Sequence, residues 1–268
     1  MEKDTKRLFF GFEIQTLWPK TFTAKKIIKE ENRHITLLFL GENIIEDIEK
    51  HLQDLPSLDT NIPLAGFFDK TLFLPEKNPR LVAYRANFFD KSKEVKNFQN
   101  ELFEFFKKKN FSIKQNSNFL PHVTVCRENF SIKEFKENFY FFPFYIKSFN
   151  LYESFQNSEY KTLWKKDFQK PFQEFFHTAD IAFIIKGENF SSLLLNSFIA
   201  LAFKEFSILN YFNELKSVTS LDDVIINLNE IITKAEIDGL HMPFKAVSFH
   251  SDIETKQNLL HWEMIVDV

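Results

Sequence analysis

The chain has 268 residues, 44% of them hydrophobic and 26% charged, with 34 Lys and Arg against 37 Asp and Glu for a formal net charge of −3. That balance suits a globular protein of one large or two ordinary domains. Five glycines supply no Gly-rich loop of the P-loop or dinucleotide type, and the single Cys126 excludes an internal disulfide and a Cys-cluster zinc site. Cys126 reads as a small buried strand residue. The 36 Phe residues read as core filling, with any exposed ones able to stack on bases. No signal peptide opens the chain and no apolar run is long enough to span a bilayer, so the expectation is a cytoplasmic protein with no membrane association. The charge is uneven: residues 1–170 carry 28 basic and 23 acidic side chains, and the remainder carries 6 and 14. Such a switch predicts two domains, 1–170 and 171–268, with different partners.

In chain order, Arg7–Ile14 reads as a strand, 21–31 as a helix, and His34–Leu40 as a strand ended by Gly41. Ile44, Ile45, Ile48 and Leu52 predict a helix over 44–55. Extended pieces follow at 62–74 and 80–88. Val95, Phe98, Leu102, Phe105 and Phe106 predict a helix over 91–109, and Lys107, Lys108 and Lys109 form its solvated basic end. A second His-bearing strand, a short helix at 131–138 and strands at 144–153 and 160–168 complete the first part. Pro171 and the charge switch make 165–176 a boundary. Beyond it lie a strand at 180–186, a helix at 191–206, and a helix at 221–236 capped by Ser220 and stopped by Gly239. Strands at 244–254 and 259–267 finish the chain.

Two tripeptides carry the chemistry: His34-Ile35-Thr36, within RHITLLFLG (33–41), and His122-Val123-Thr124, within PHVTVCR (121–127). Residues i and i+2 of a strand share a face. Each tripeptide therefore offers one imidazole and one hydroxyl on one surface. If the two strands lie side by side, two His and two Thr line one groove. One imidazole then takes a proton, the other gives one, and the hydroxyls hold an anion, which suits acid/base work on a phosphodiester. Strand and helix alternate twice, with one His-x-Thr strand in each half, as an internal duplication would produce.

In these flanks, and with LYES following at 151–154, residues 7–168 resemble the 2H phosphoesterases, specifically the RNA 2′,3′-cyclic phosphodiesterase/2′-5′ RNA ligase (LigT-like) group. The resemblance implies an α+β fold of two duplicated lobes. It implies hydrolysis of an RNA 2′,3′-cyclic phosphate to a 2′-phosphate without a cofactor. His34 and His122 become the acid/base pair, Thr36 and Thr124 phosphate ligands, and Arg127 an anion contact. Which His is the acid stays open. So do two other enzyme activities, 2′-5′ RNA ligation and cleavage of a small cyclic nucleotide, and a non-catalytic protein that binds RNA ends. The turn after LYES lacks the Pro/Gly-containing segment relatives often carry there.

Residues 176–268 are similar to archease, a helper of the RtcB-type RNA-splicing ligase. The matching pieces are FHTADIAF (176–183), KAVSFH (245–250) and WEMIVDV (262–268). The resemblance implies a smaller, truncated α+β domain with no catalysis of its own. It implies a divalent cation, Ca²⁺ or Mg²⁺, held by Asp180, Asp267 and Val268, as hard oxygen donors favour. The implied partners are RNA ends, tRNA-derived, for the first part and an RtcB-type RNA ligase for the second. His177 and His250 read as structural.

Overall fold

The computed structural model describes residues 5–19, 24–58, 64–113, 119–176, 180–248 and 253–268. Two compact units emerge. The first comprises 1–60, 69–139 and 146–168, and the second 61–68, 140–145 and 169–268. Both combine antiparallel strands with helices, so the α+β expectation holds. Among the described residues no helix is long and apolar enough to cross a membrane.

In the first unit the strands are β1 (Thr5–Thr16), β2 (Ala24–Ile27), β3 (His34–Ile44), β4 (Ala65–Leu74), β5 (Leu81–Asn87), β6 (His122–Phe130), β7 (Phe142–Ser154) and β8 (Tyr160–Asp167). β3 lies between β1 and β6, and β5 follows β6 on its other side; β2 also pairs with β6, and β7 with β8. The helices are α1 (Ile45–Glu49), α2 (Ser92–Lys108) and α3 (Ile132–Glu137). Alternation along β1 sends Phe10 and Phe12 to one face. There Phe10 meets Phe106 of α2 at 5.4 Å, Phe12 meets Phe98 at 6.2 Å, and Phe149 of β7 meets Phe98 at 5.2 Å. Val95, Phe98, Leu102 and Phe106 are all buried, the 3.6-residue stripe of a helix on a sheet. The other face turns Arg7 and Phe9 to the groove, while Glu13 on the same face pairs with Lys147, Ser148 and Lys165.

In the second unit the strands are β9 (Phe172–Phe175), β10 (Ile181–Gly187), β11 (Ala246–Val247), β12 (Ile253–Lys256) and β13 (Leu259–Asp267), in the order β11-β13-β10-β9 with β12 also on β13. Helices α4 (Phe190–Ala202) and α5 (Leu221–Ile237) pack with this sheet, Leu193, Phe198, Leu228 and Ile232 being fully buried along with Trp262 and Met264. Residues 64–68 and 140–145, which include the first residues of β4 and β7, belong to this unit and make aromatic contacts within it. Phe67 meets Phe212 at 4.9 Å, Tyr140 meets Phe206 at 5.6 Å, and Tyr145 meets Phe172 at 5.5 Å. The capping of α5 is as expected. Ser220 Oγ accepts from the Asp223 N–H, and the Asp223 carboxylate accepts from the Ser220 N–H. Gly239, at φ +88°, ends the helix in the left-handed region.

Several expected elements differ, among them the strand over 244–254, where β11 covers only 246–247, β12 begins at 253, and 249–252 lie outside the described residues. In place of a helix over 21–31, residues 24–27 form β2, with Lys26 paired to Arg127 and Ile27 to Cys126, and a short 3-10 turn spans 30–32. Pairing to β6 overrides a helical propensity that a short charged segment expresses only weakly. The helix over 44–55 is reduced to α1 plus a 3-10 turn at 52–54. The segment 165–176 contains β9, an edge strand on β10. His177 and His250 lie outside the described residues.

Removing the α5 cap tests the local account. Ser220→Ala should lower stability by about 1 kcal/mol, read as a drop in the denaturation midpoint at unchanged m-value.

Candidate active site

β3 and β6 run antiparallel with Ile35 opposite Val123. That register sets His34 alongside Thr124 and Thr36 alongside His122. Ile35 and Val123 are fully buried, and the His and Thr residues sit half-buried on the other face. The structure thus brings all four predicted side chains into one groove of about 800 Å³, which Arg127 also lines.

Bulges decide which further residues reach this face. Phe10 pairs with Leu38 but Gly11 pairs with Thr36, so β3 carries an extra residue at Leu37; a second lies at Leu40. Each extra residue shifts the alternation by one. As a result Phe39 and Glu42, rather than Leu38 and Leu40, fall in phase with His34 and Thr36, opposite Phe9 and Arg7 of β1. In β6 the same happens at Val125, because Val82 pairs with Cys126 and Ala83 with Thr124. Arg127 thereby joins His122 and Thr124 in the groove, while Cys126 is fully buried, with its thiol pushed up to about 11 by burial.

The two imidazoles are held alike. His34 Nδ1 lies 2.9 Å from the Asn32 carbonyl oxygen, and His122 Nδ1 lies 2.7 Å from the Leu120 carbonyl oxygen. A carbonyl only accepts, so each Nδ1 carries the proton and each Nε2 is left to serve the groove. Their surroundings differ. His34 is packed against the rings of Phe9 at 4.7 Å, Tyr160 at 4.7 Å, edge-on, and Tyr152 at 5.3 Å. Burial lowers its pKa to about 4, the charges of His122 and Arg127 push the same way, and the bond to Asn32 opposes them. His34 is therefore neutral near pH 7. Close approach of β1 makes room for this packing. A Cβ on Gly11 would lie 2.8 Å from the Ile35 carbonyl oxygen and 3.5 Å from the His34 ring.

Basic groups gather at one end of the groove. Lys26 and Arg127 are direct cross-strand partners and both line it. Among the described residues Arg127 Nε is buried without a hydrogen-bond partner. Two like charges set opposite each other are unfavourable unless an anion joins them. At the other end, Phe39 is 54% exposed and Leu120 39%, an apolar ledge beside the polar floor. Beneath the groove, buried Arg33 donates from Nε to the Ile28 carbonyl at 2.9 Å and stacks 4.5 Å over Trp18, fixing the chain just before His34.

The sequence reading missed Arg7, Lys26, Phe39 and Tyr160. A basic residue two positions before a strand's aromatic, as in Arg7-x-Phe9-x-Gly11, was the available signal for the first. The bulges that present Phe39 have none.

In the second unit Ile181 pairs with Val266. Asp180 and Asp267 therefore occupy neighbouring positions at one end of β10 and β13. Asp267 Oδ1 accepts from Ser248 Oγ at 2.8 Å, and the Val268 carbonyl accepts from Lys245 Nζ at 2.8 Å. Among the described residues no group of three or more His, Cys, Asp or Glu is placed to hold a metal ion. The predicted donor set comes to two carboxylates and the Val268 carbonyl oxygen.

No protein-family model matches this chain, and no curated protein matches it. Solved structures do. Escherichia coli LigT complexed with 3′-AMP is 20% identical, with a TM-score of 0.45, over 62% of this chain and 100% of its own. A structure described as a phosphoesterase is 18% identical, TM-score 0.42, over 62% and 100%. TT0787 of Thermus thermophilus is 19% identical, TM-score 0.44, over 61% and 98%. At these values it is the site geometry that carries the functional reading.

The imidazole environment is directly measurable. Long-range ¹H–¹⁵N spectra should show His34 as the neutral Nδ1–H tautomer at pH 7 and its protonation only near pH 4, against about 6.5 for an ordinary histidine.

Proposed function

We propose that the first unit is a phosphodiesterase that opens a 2′,3′-cyclic phosphate at an RNA end to a 2′-phosphate. The carrying observation is the antiparallel pairing that sets two imidazoles, each pinned at Nδ1, across from two threonines. A water oxygen attacks phosphorus and its proton passes to His34 Nε2. The bond from phosphorus to O3′ breaks, and His122 Nε2 gives O3′ its proton. Burial keeps His34 in the neutral form a base needs. The Thr36 and Thr124 hydroxyls and the Arg127 guanidinium take up the negative charge that grows on the phosphoryl oxygens. The unpartnered Arg127 Nε supports that role. Lys26 adds a second cation, and Phe39 offers a face for the terminal base.

A short RNA bearing a 2′,3′-cyclic phosphate, incubated with the protein in EDTA, should yield the 2′-phosphate. His34→Ala and His122→Ala should each slow this about 10²- to 10⁴-fold. The kcat/KM of the intact protein should fall below about pH 4, where His34 becomes protonated and stops acting as a base. An intact protein that leaves the cyclic phosphate untouched would refute the proposal.

For the second unit we propose a non-catalytic adaptor that serves an RtcB-type RNA ligase and holds a divalent cation. Asp180, Asp267 and the Val268 oxygens would hold the ion, their oxygen donors fitting Ca²⁺ or Mg²⁺. Lys245 Nζ donates to the Val268 carbonyl, so an ion bound there would displace that ammonium. The acidic balance of residues 171–268 suits a protein partner better than RNA. Millimolar Ca²⁺ or Mg²⁺ should raise Tm, as ligand binding to the folded state does. Asp180→Ala and Asp267→Ala should abolish the rise and any acceleration of ligase turnover; variants that respond like the parent would refute the site.

A further inference from the structure

Arg85 of β5 stands directly opposite His122 in the β5–β6 ladder. Directly paired residues of antiparallel strands share a face, with Cβ atoms about 4.5–5.5 Å apart. Arg85 is therefore the next side chain beyond His122 on that face of the sheet, just outside the residues that line the groove itself. Its guanidinium is fixed in place. Nε donates to Asp69 Oδ1 at 2.7 Å and Nη2 to Asp69 Oδ2 at 2.8 Å. Asn87 Nδ2 donates to the same Oδ2 at 3.2 Å, and Asn87 Oδ1 in turn accepts from the Phe89 N–H.

This arrangement has the character of an oriented donor. The Asp69 side chain is 10% exposed and the Arg85 side chain 42%. The carboxylate is thus spent holding an arginine that still faces solvent. Guanidinium has five N–H groups, and Asp69 takes one from Nε and one from Nη2; among the described residues nothing engages Nη1. An ion pair this open to water adds little to stability. A guanidinium whose rotamers are already fixed loses little entropy when it binds, and its planar fork matches phosphate.

We infer that Arg85 is a second anion subsite of the groove, taking a backbone phosphate of the nucleotide adjoining the one that reacts. The inference rests on the phosphodiester reading above and deepens it: the groove is built for the end of a polynucleotide rather than for a free mononucleotide. Thr36, Thr124 and Arg127 serve the reacting phosphate, and a mononucleoside cyclic phosphate has no second phosphate to offer Arg85.

The test is the ratio of kcat/KM for an oligoribonucleotide ending in a 2′,3′-cyclic phosphate to that for the matching mononucleoside 2′,3′-cyclic phosphate. Arg85→Ala should lower the ratio about tenfold, the value of one charge-assisted hydrogen bond. Arg85→Lys, which keeps the charge but not the fork, should recover part of it. Asp69→Asn, which frees the guanidinium, should fall between parent and Arg85→Ala. The salt dependence of oligonucleotide binding should become shallower by about 0.7 in log–log slope. A ratio unchanged in Arg85→Ala overturns the inference and leaves the phosphodiesterase intact, as does an equal fall for both substrates. If neither substrate is opened, the phosphodiesterase reading fails. The subsite is then judged by binding of the 3′-phosphorylated oligonucleotide against the 3′-phosphorylated mononucleoside. Loss of that preference in Arg85→Ala supports it, and retention overturns it.

Discussion

The pairing of Ile35 with Val123 is the constraint on which the first unit's chemistry depends. Two strands meeting antiparallel at one residue pair have a local two-fold relation. A His-x-Thr on each is then projected into a cradle where each imidazole faces the other strand's hydroxyl. A slip of one residue would turn the imidazoles to the opposite face, where α2 and its phenylalanines pack. Two fully buried branched side chains at the pivot make such a slip costly. The same hydrophobic burial that holds the sheet together thus fixes the geometry of the cradle.

Electrostatics then breaks the two-fold relation. Both rings are pinned through Nδ1 by a carbonyl two residues upstream, an orientation that needs no partner from elsewhere in the fold. Only His34 is enclosed by Phe9, Tyr152 and Tyr160, and that enclosure keeps it neutral. The aromatic wall is supplied by β1, β7 and the start of β8, whose approach depends on Gly11. A difference in packing on one side of a near-symmetric pair is enough to separate a base from an acid.

Much of this was legible in the sequence because it is periodic or local. The amphipathic stripe of α2, the Ser220 cap and Gly239 stop of α5, and the shared face of each His-x-Thr follow from spacing and side-chain chemistry alone. The cradle required one further assumption, that β3 and β6 are neighbours, which the structure meets. What resisted reading arises from tertiary pairing. β2 is a strand because β6 offers it an edge, not because its lysine-rich segment favours one. β9 is a strand because β10 needed an edge partner. Phe39 and Arg127 reach the groove only because extra residues at Leu37 and Val125 reset the alternation. In strict alternation Leu38 and Cys126 would have been in phase, and nothing in the residues themselves marks where a strand miscounts.

The near-symmetry of the pinned imidazoles bears on the direction of the reaction. In the proposed mechanism one turnover leaves His34 protonated and His122 neutral, with each Nδ1–H bond unchanged. That end state is the starting state with the two strands exchanged. By microscopic reversibility the same two groups, with roles exchanged, would serve the reverse step. Run forwards, the proposed step has two outcomes by what fills the nucleophile's place: water would open the ring, and an RNA 5′-hydroxyl lodged there would join two ends with the same base and the same acid. On the proposed mechanism, the outcome is written in access to the nucleophile's place rather than in the proton-transferring groups.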